Sequence, residues 1–173
     1  MSSIEEASLV HMAQQGDTEA LSKLWDTLTP KLFGYLMNTL RNRQLAEDVL
    51  QTTWAKAIAA LPNFNRHGAG MSAWLFAIAR NECRDLWRKA GRETPFDPEI
   101  HDKAGDAGEA QEAKIVTEQV LASLSDKDRE LLRLRYIADL SIKEIAKVLK
   151  SNPVNIGVRL HRALGRARII LNA

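Results

Sequence analysis

The chain has 173 residues, 45% hydrophobic and 27% charged, a balance that belongs to globular proteins and excludes disordered and fibrous ones. Its one cysteine, Cys83, excludes a disulfide framework, and its four histidines stand singly at His11, His67, His101 and His161, so no metal or cofactor site is expected. The net charge of +2 divides unevenly, +2 over residues 1–92, −6 over 93–113 and +6 over 114–173, which suggests two polyanion-binding modules separated by an acidic linker.

Nothing in the chain reads as a targeting or membrane segment. Acids at Glu5 and Glu6 occupy the place where a secretory leader needs basic and then apolar residues, and the apolar run Ala73 to Ala79 is too short to cross a bilayer. A cytoplasmic protein without direct membrane insertion is expected.

Taken in order, apolar residues recur at spacings of three and four and no stretch alternates convincingly at two, so the fold is expected to be all-α. Gly16-Asp17-Thr18 reads as a turn and cap before a helix over Glu19 to Trp25, a second helix should follow Pro30, and a third should run from about Leu45 to Leu61, where Pro62 stops it. The stretch from Asn65 to Gly70 reads as a loop. Ser72 is then expected to cap a helix from Ala73 to about Lys89, with Leu75, Ala79, Cys83 and Leu86 on its inner face. Residues 93–112, rich in turn formers and acids, are expected to be a flexible linker between two small helical domains, 1–92 and 113–173.

In the second domain a helix is expected over about Ala113 to Leu124, followed by one capped by Ser125. Ser141-Ile-Lys-Glu144 has the form of a capping box and opens a helix to about Leu149. A short turn at Lys150 and Ser151 follows, then Asn152 as N-cap and Pro153 at the first helical position, opening a last helix to about Leu171. Two helices joined so tightly make a helix-turn-helix.

Two rows of side chains point to nucleic acid. On the last helix Asn155, Arg159, Arg162 and Arg166 form a cationic row in a stretch without acids after Pro153, suited to phosphates along a major groove, while Val154 and Val158 point away from the packed face. On the Ala73–Lys89 helix Arg80, Arg84 and Arg88 recur at spacings of four among Trp74, Phe76 and Trp87, a mixture that suits an unpaired strand. Phe76 and Trp74 can equally be core, and Glu82 and Asp85 can pair with the arginines. No glycine-rich phosphate loop and no nucleophile with an evident base is present, so an enzyme is not expected.

The stretch Ala46-Glu-Asp-Val-Leu-Gln-Thr-Thr-Trp54, then Phe64, then Ser72-Ala-Trp-Leu-Phe-Ala-Ile-Ala-Arg-Asn81, and finally Leu140-Ser-Ile-Lys-Glu-Ile-Ala146 with Arg159-Leu-His-Arg-Ala163, closely resembles the extracytoplasmic-function group of bacterial sigma factors over nearly the whole chain. The resemblance implies a two-domain initiation subunit that binds core RNA polymerase, reads the −35 promoter element as duplex, captures the −10 element as single strand, and is held by an anti-sigma factor. By position it puts the polymerase contact on Glu47, Asp48, Gln51 and Trp54. It puts −10 recognition on the loop, with Asn65, Arg66 and Ser72, and on Trp74, Arg80, Asn81, Arg84 and Arg88, and −35 recognition on Asn155, Val158, Arg159, Arg162 and Arg166 with Lys150 and Ser151 at the turn.

The chain departs from the family pattern at Thr52 or Thr53, where a glutamate usually follows Gln51, and at Lys150, where a turn glycine is common; it also departs at Asn155-Ile-Gly-Val-Arg159, so its promoter preference is not inherited. Two other readings remain open from the residues: a helix-turn-helix regulator with an N-terminal sensing or dimerisation domain, and an adaptor that binds only proteins.

Overall fold

The computed structural model describes residues 3–65, 70–91 and 123–171. Among these residues every regular element is helical. In chain order they are α1 (Ser3–Gln14), α2 (Thr18–Leu40), α3 (Arg43–Ala60) with a 3₁₀ turn (Leu61–Asn63), α4 (Met71–Lys89), α5 (Asp126–Leu132) continued by a π turn (Arg133–Ile137), α6 (Ile142–Val148) and α7 (Pro153–Leu171). The linker expected over 93–112, most of the helix expected over 113–124, and Arg66 lie outside the described residues.

Asp17 caps α2, its carboxylate accepting from the amides of Glu19 and Ala20. The helix then continues through Pro30 to Leu40, where separate helices were expected. A proline inside a helix loses one backbone bond and costs about 3 kcal/mol. The row Ala20, Leu24, Leu28, Leu32 and Leu36 is buried on both sides of the proline, and each leucine contributes about 1.5–3 kcal/mol, so breaking the row would cost more than keeping the helix intact.

α3 starts at the N-cap Asn42, which accepts from the Leu45 amide at 3.0 Å, and ends where Pro62 enters the 3₁₀ turn. α4 buries Leu75, Phe76, Ala79 and Cys83, with Phe76 edge-on to Tyr35 at 5.5 Å. Its N-cap is Gly70 and not Ser72. The Ser72 hydroxyl instead donates to the buried carboxylate of Glu6 on α1, and a β-carbon at Gly70 would collide with that same carboxylate. Gln14 ties the other end of α1 to the chain before α4, donating to the carbonyls of Leu61 and Phe64 at 3.0 and 2.7 Å.

The C-terminal helices follow the expected caps. The Ser125 hydroxyl accepts from Asp128 at 3.3 Å, both halves of the Ser141–Glu144 capping box form, and Asn152 accepts from the Asn155 amide at 2.8 Å. The two halves of the chain pack together: α4 lies against α6, α2 against the π turn, and Lys31 pairs with Asp139 at 2.8 Å.

Burial pushes the Cys83 thiol up to about 12, so it stays protonated and shielded at neutral pH. Iodoacetamide should leave Cys83 unmodified in the native chain and label it fully in denaturant; mass spectrometry of the two samples checks this.

Candidate nucleic-acid interface

The helix-turn-helix is closed by hydrogen bonds rather than by a glycine. The Ser151 amide donates to the Ala146 carbonyl at 2.8 Å and the Lys150 amide to the Lys147 carbonyl at 3.2 Å, the paired bonds of a Schellman turn. Lys150 itself takes the left-handed conformation, with φ of 51°, so the strain expected from the missing glycine stays at this residue. Beyond the turn, α7 buries Ile156, Leu160 and Ala163 against the other helices, with Ala167 and Ile170 partly buried on the same face.

This packing decides what the outer face of α7 presents. Asn155, Arg162 and His161 are exposed, Arg159 is half-buried, and Val154 and Val158 are 75% and 45% exposed with their methyl groups turned to solvent. Arg166, expected to complete a free cationic row, is committed elsewhere. Its Nε donates to the nearly buried carboxylate of Asp128 on α5 at 2.9 Å, so it braces α7 against α5. The acid-free stretch after Pro153 concealed this because the compensating acid comes from 38 residues earlier.

On α4, Asn81, Arg84 and Arg88 are exposed, and Arg88 pairs with Asp85 one turn away at 3.0 Å. Arg80 is less than one-fifth exposed, because the carboxylate of Glu130 on α5 accepts from its Nε at 2.5 Å and its Nη2 at 3.2 Å. That fork-to-carboxylate geometry is the strong form of the pair. Desolvation pulls the Arg80 guanidinium down while the Glu130 bonds push it up, and the net shift is upward. Glu82 pairs with Lys56 of α3 and not with an arginine. Phe76 is core, and Trp74 is half-buried, its ring 4.4 Å from that of Phe64 at the edge of the loop that includes Asn65.

On α3, Asp48 and Gln51 are exposed, and Glu47 is engaged by Arg43 at 2.7 Å. Trp54 is the exception to the expected contact surface. It is 1% exposed and stacks on Trp25 at 4.6 Å, so it supports α3 from within, and the 38% exposed Trp25 is the ring that reaches solvent. Ala46, Val49, Thr53 and Ala57 share its buried row, and that spacing was the available sign that Trp54 points inward.

The residues that sequence reasoning missed are the acids Glu130 and Asp128, which reach across to Arg80 and Arg166. Neither pairing has a local sequence signal. Among the described residues no group of histidine, cysteine and acidic side chains could hold a metal, and no helix is long and apolar enough to cross a membrane.

Known proteins share this arrangement. Residues 24–93 match the family model for Sigma-70 region 2, and residues 116–166 match that for Sigma-70, region 4. The ECF RNA polymerase sigma factor ShbA of Streptomyces griseus is 30% identical, over 94% of this chain and 93% of its own. SigD of Mycobacterium tuberculosis, another ECF RNA polymerase sigma factor, is 33% identical over 93% of this chain and 81% of its own. Among solved structures, CnrH in complex with the cytosolic domain of CnrY superposes with a TM-score of 0.75 at 24% identity, covering 97% of both chains, a likeness of fold. The sigma factor RpoE in complex with the anti-sigma factor NepR from Bartonella quintana gives a TM-score of 0.69 at 26% identity, covering 88% of this chain and 97% of that one.

Because the left-handed turn conformation costs a side-chain-bearing residue about 1–2 kcal/mol, Lys150→Gly should stabilise the fold by about 1 kcal/mol. Thermal melts of the two proteins should show a higher midpoint for the variant.

Proposed function

The chain belongs to the extracytoplasmic-function group of RNA polymerase sigma factors, and from that premise we propose how its two halves divide the work of initiation. The protein is an alternative sigma factor that binds core RNA polymerase and directs transcription from selected promoters. It acts by binding and carries no chemistry of its own, and its place of work is the cytoplasm, where polymerase and promoter are. The observation that carries this reading is the pairing, on one chain, of a helix-turn-helix with an exposed outer face and a separate helix, α4, whose polar face shows asparagine and arginine.

The division of the chain into a reading domain over 1–92, a linker over 93–112 and a second reading domain over 113–173 is part of the proposal. Polymerase docks on α3 through Asp48 and Gln51, with Glu47 and the Trp25 edge alongside. The duplex −35 element is read by the outer face of α7, where Asn155 and Val158 face bases and Arg159 and Arg162 hold phosphates, with Lys150 and Ser151 at the entry. Phosphate contacts fix the register, and base-edge contacts carry the sequence information.

Capture of the −10 strand falls to α4 and the loop before it. Asn81 offers a donor and an acceptor to a base edge, Arg84 and Arg88 lie one and two turns along the same helix, and Trp74 offers a ring beside Asn65. Arg80 joins this face only when Glu130 lets go. In the described arrangement the C-terminal half holds that arginine, so strand capture requires α5 to move off α4, and polymerase, which needs both halves on separate surfaces, supplies the reason for the move. An anti-sigma factor is the natural opponent of that opening, as the RpoE–NepR complex illustrates for a relative.

A regulator needs only closed duplex, whereas a sigma factor must hold unstacked bases whose exposure costs a few kcal/mol each. Asn81→Ala should lower single-round transcription from a closed promoter at least tenfold while leaving a template with a pre-opened −10 region within about threefold of wild type, the tenfold drop corresponding to about 1.4 kcal/mol. Core polymerase pull-down should be unchanged. Absence of any core-dependent transcript from a promoter library with the wild-type protein would reject the sigma assignment, and equal activity of the variant on both templates would reject only the role of Asn81.

A further inference from the structure

Between α4 and α5 lies a cleft of about 950 Å3 whose charge is unbalanced. Three acids line it, and each already has a partner: Glu130 takes Arg80, Asp85 takes Arg88, and Asp126 takes Arg129. Arg84, Lys127 and Arg133 line the same cleft, and among the described residues none of the three forms an ion pair, although Glu130, already held by Arg80, lies near enough to Arg133 to favour its charged form. The described lining therefore carries an excess of three positive charges.

One of those charges is in an unusual position. Arg133 is only 6% exposed, and its Nε has no hydrogen-bond partner. Burial, with Arg129 and Arg41 nearby, pulls its guanidinium down to about 10, so it remains a cation in a place that disfavours one. Beside it in the lining, Thr39 is 7% exposed with an equally unpartnered hydroxyl. An unmet buried donor costs about 1–3 kcal/mol, more when it is charged; both orphaned atoms are closed off from the cleft as they stand, so an anion there would satisfy them once the Arg133 and Thr39 side chains turn toward it. A guanidinium matches two oxygens of a phosphate at once, and the lining also includes the ring of Trp87.

We propose that this cleft is a binding site for a small di- or triphosphate anion, with Arg133 and Thr39 donating to one phosphate and Arg84 and Lys127 holding the next. Thr39 and Arg84 come from the N-terminal half, and Lys127 and Arg133 from the C-terminal half. A ligand held by all four ties the halves together, keeps Arg80 on Glu130 and opposes strand capture by α4. A site for a small soluble effector is thereby built into the same surface that promoter opening must separate. This goes beyond promoter reading: the binding itself stands on Arg133 and Lys127, which have no part in the faces assigned to DNA, while its effect on strand capture rests on the proposed role of α4, which shares Arg84 with the site.

The test is titration calorimetry of the full chain with pyrophosphate, ATP and GTP in separate runs. One-to-one binding is expected, weakened at least tenfold by Arg133→Gln and several-fold by Lys127→Ala, and unchanged by Arg168→Ala on the exposed side of α7. Circular dichroism checks that Arg133→Gln still folds, and Lys127, being exposed, provides a variant that cannot fail for that reason. Equal affinity for pyrophosphate and ATP would identify the phosphates alone as the ligand, whereas tighter ATP or GTP binding with a Trp87-dependent change in fluorescence would identify a nucleotide; either result supports the site. No binding of any probe at millimolar concentration overturns it. So does binding that Arg84→Ala abolishes but Arg133→Gln and Lys127→Ala leave intact, since that pattern belongs to a strand-binding face of α4 alone.

Discussion

Helix α4 is wedged among α1, α2, α3 and α6, and the rest of the molecule is arranged around that wedge. A helix surrounded this way has little free surface, so each polar residue on it must face a partner, a cleft or the remaining solvent. The inner row of Leu75, Phe76, Ala79 and Cys83 fixes the rotation of α4 about its axis. That rotation directs Arg80 at Glu130 and leaves Asn81, Arg84 and Arg88 on the outside. The exposed face of α4 is in this sense a by-product of apolar packing: shifting the inner row by one position would turn Asn81 away from solvent.

The same logic explains why the two arginine rows behave differently from one another and from their appearance on paper. An arginine near a buried acid in low dielectric forms a bond that water cannot easily replace, whereas one facing solvent gains little from a nearby carboxylate. Arg80 and Arg166 meet the partly or nearly buried acids Glu130 and Asp128, and each joins separate segments of the chain. Arg88 meets the half-exposed Asp85 on its own helix and remains available. The cations left accessible are thus those whose local partners are weak.

Local signals in the sequence were enough to locate most of the fold. Asp17, Ser125, Ser141 and Asn152 each cap the helix that follows, because a cap depends on residues within one turn, whereas the cap at Asn42 has no counterpart in the sequence expectations. What was illegible depended on distant residues. Pro30 looked like a helix boundary until the leucines on both sides were seen to share one core, and Ser72 looked like a cap until Glu6 claimed its hydroxyl. Trp54 was placed on a contact surface when its row of small apolar neighbours turns it inward against Trp25. On α7 the spacing correctly suggests that Asn155, Val158 and Arg162 are exposed, but it gives no sign that Arg166 is held by Asp128.

The bond between Glu6 and Ser72 joins residues 66 positions apart, and it gives the buried carboxylate of α1 a partner that lies on α4. During synthesis at about 5–20 residues per second, Glu6 is therefore made roughly 3 to 13 seconds before the hydroxyl it needs. Through that interval Glu6 has water as its partner, and α1 has no cleft to settle into. Helix α1 is thus made before α2, α3 and α4 but is fastened only once α4 exists to receive it.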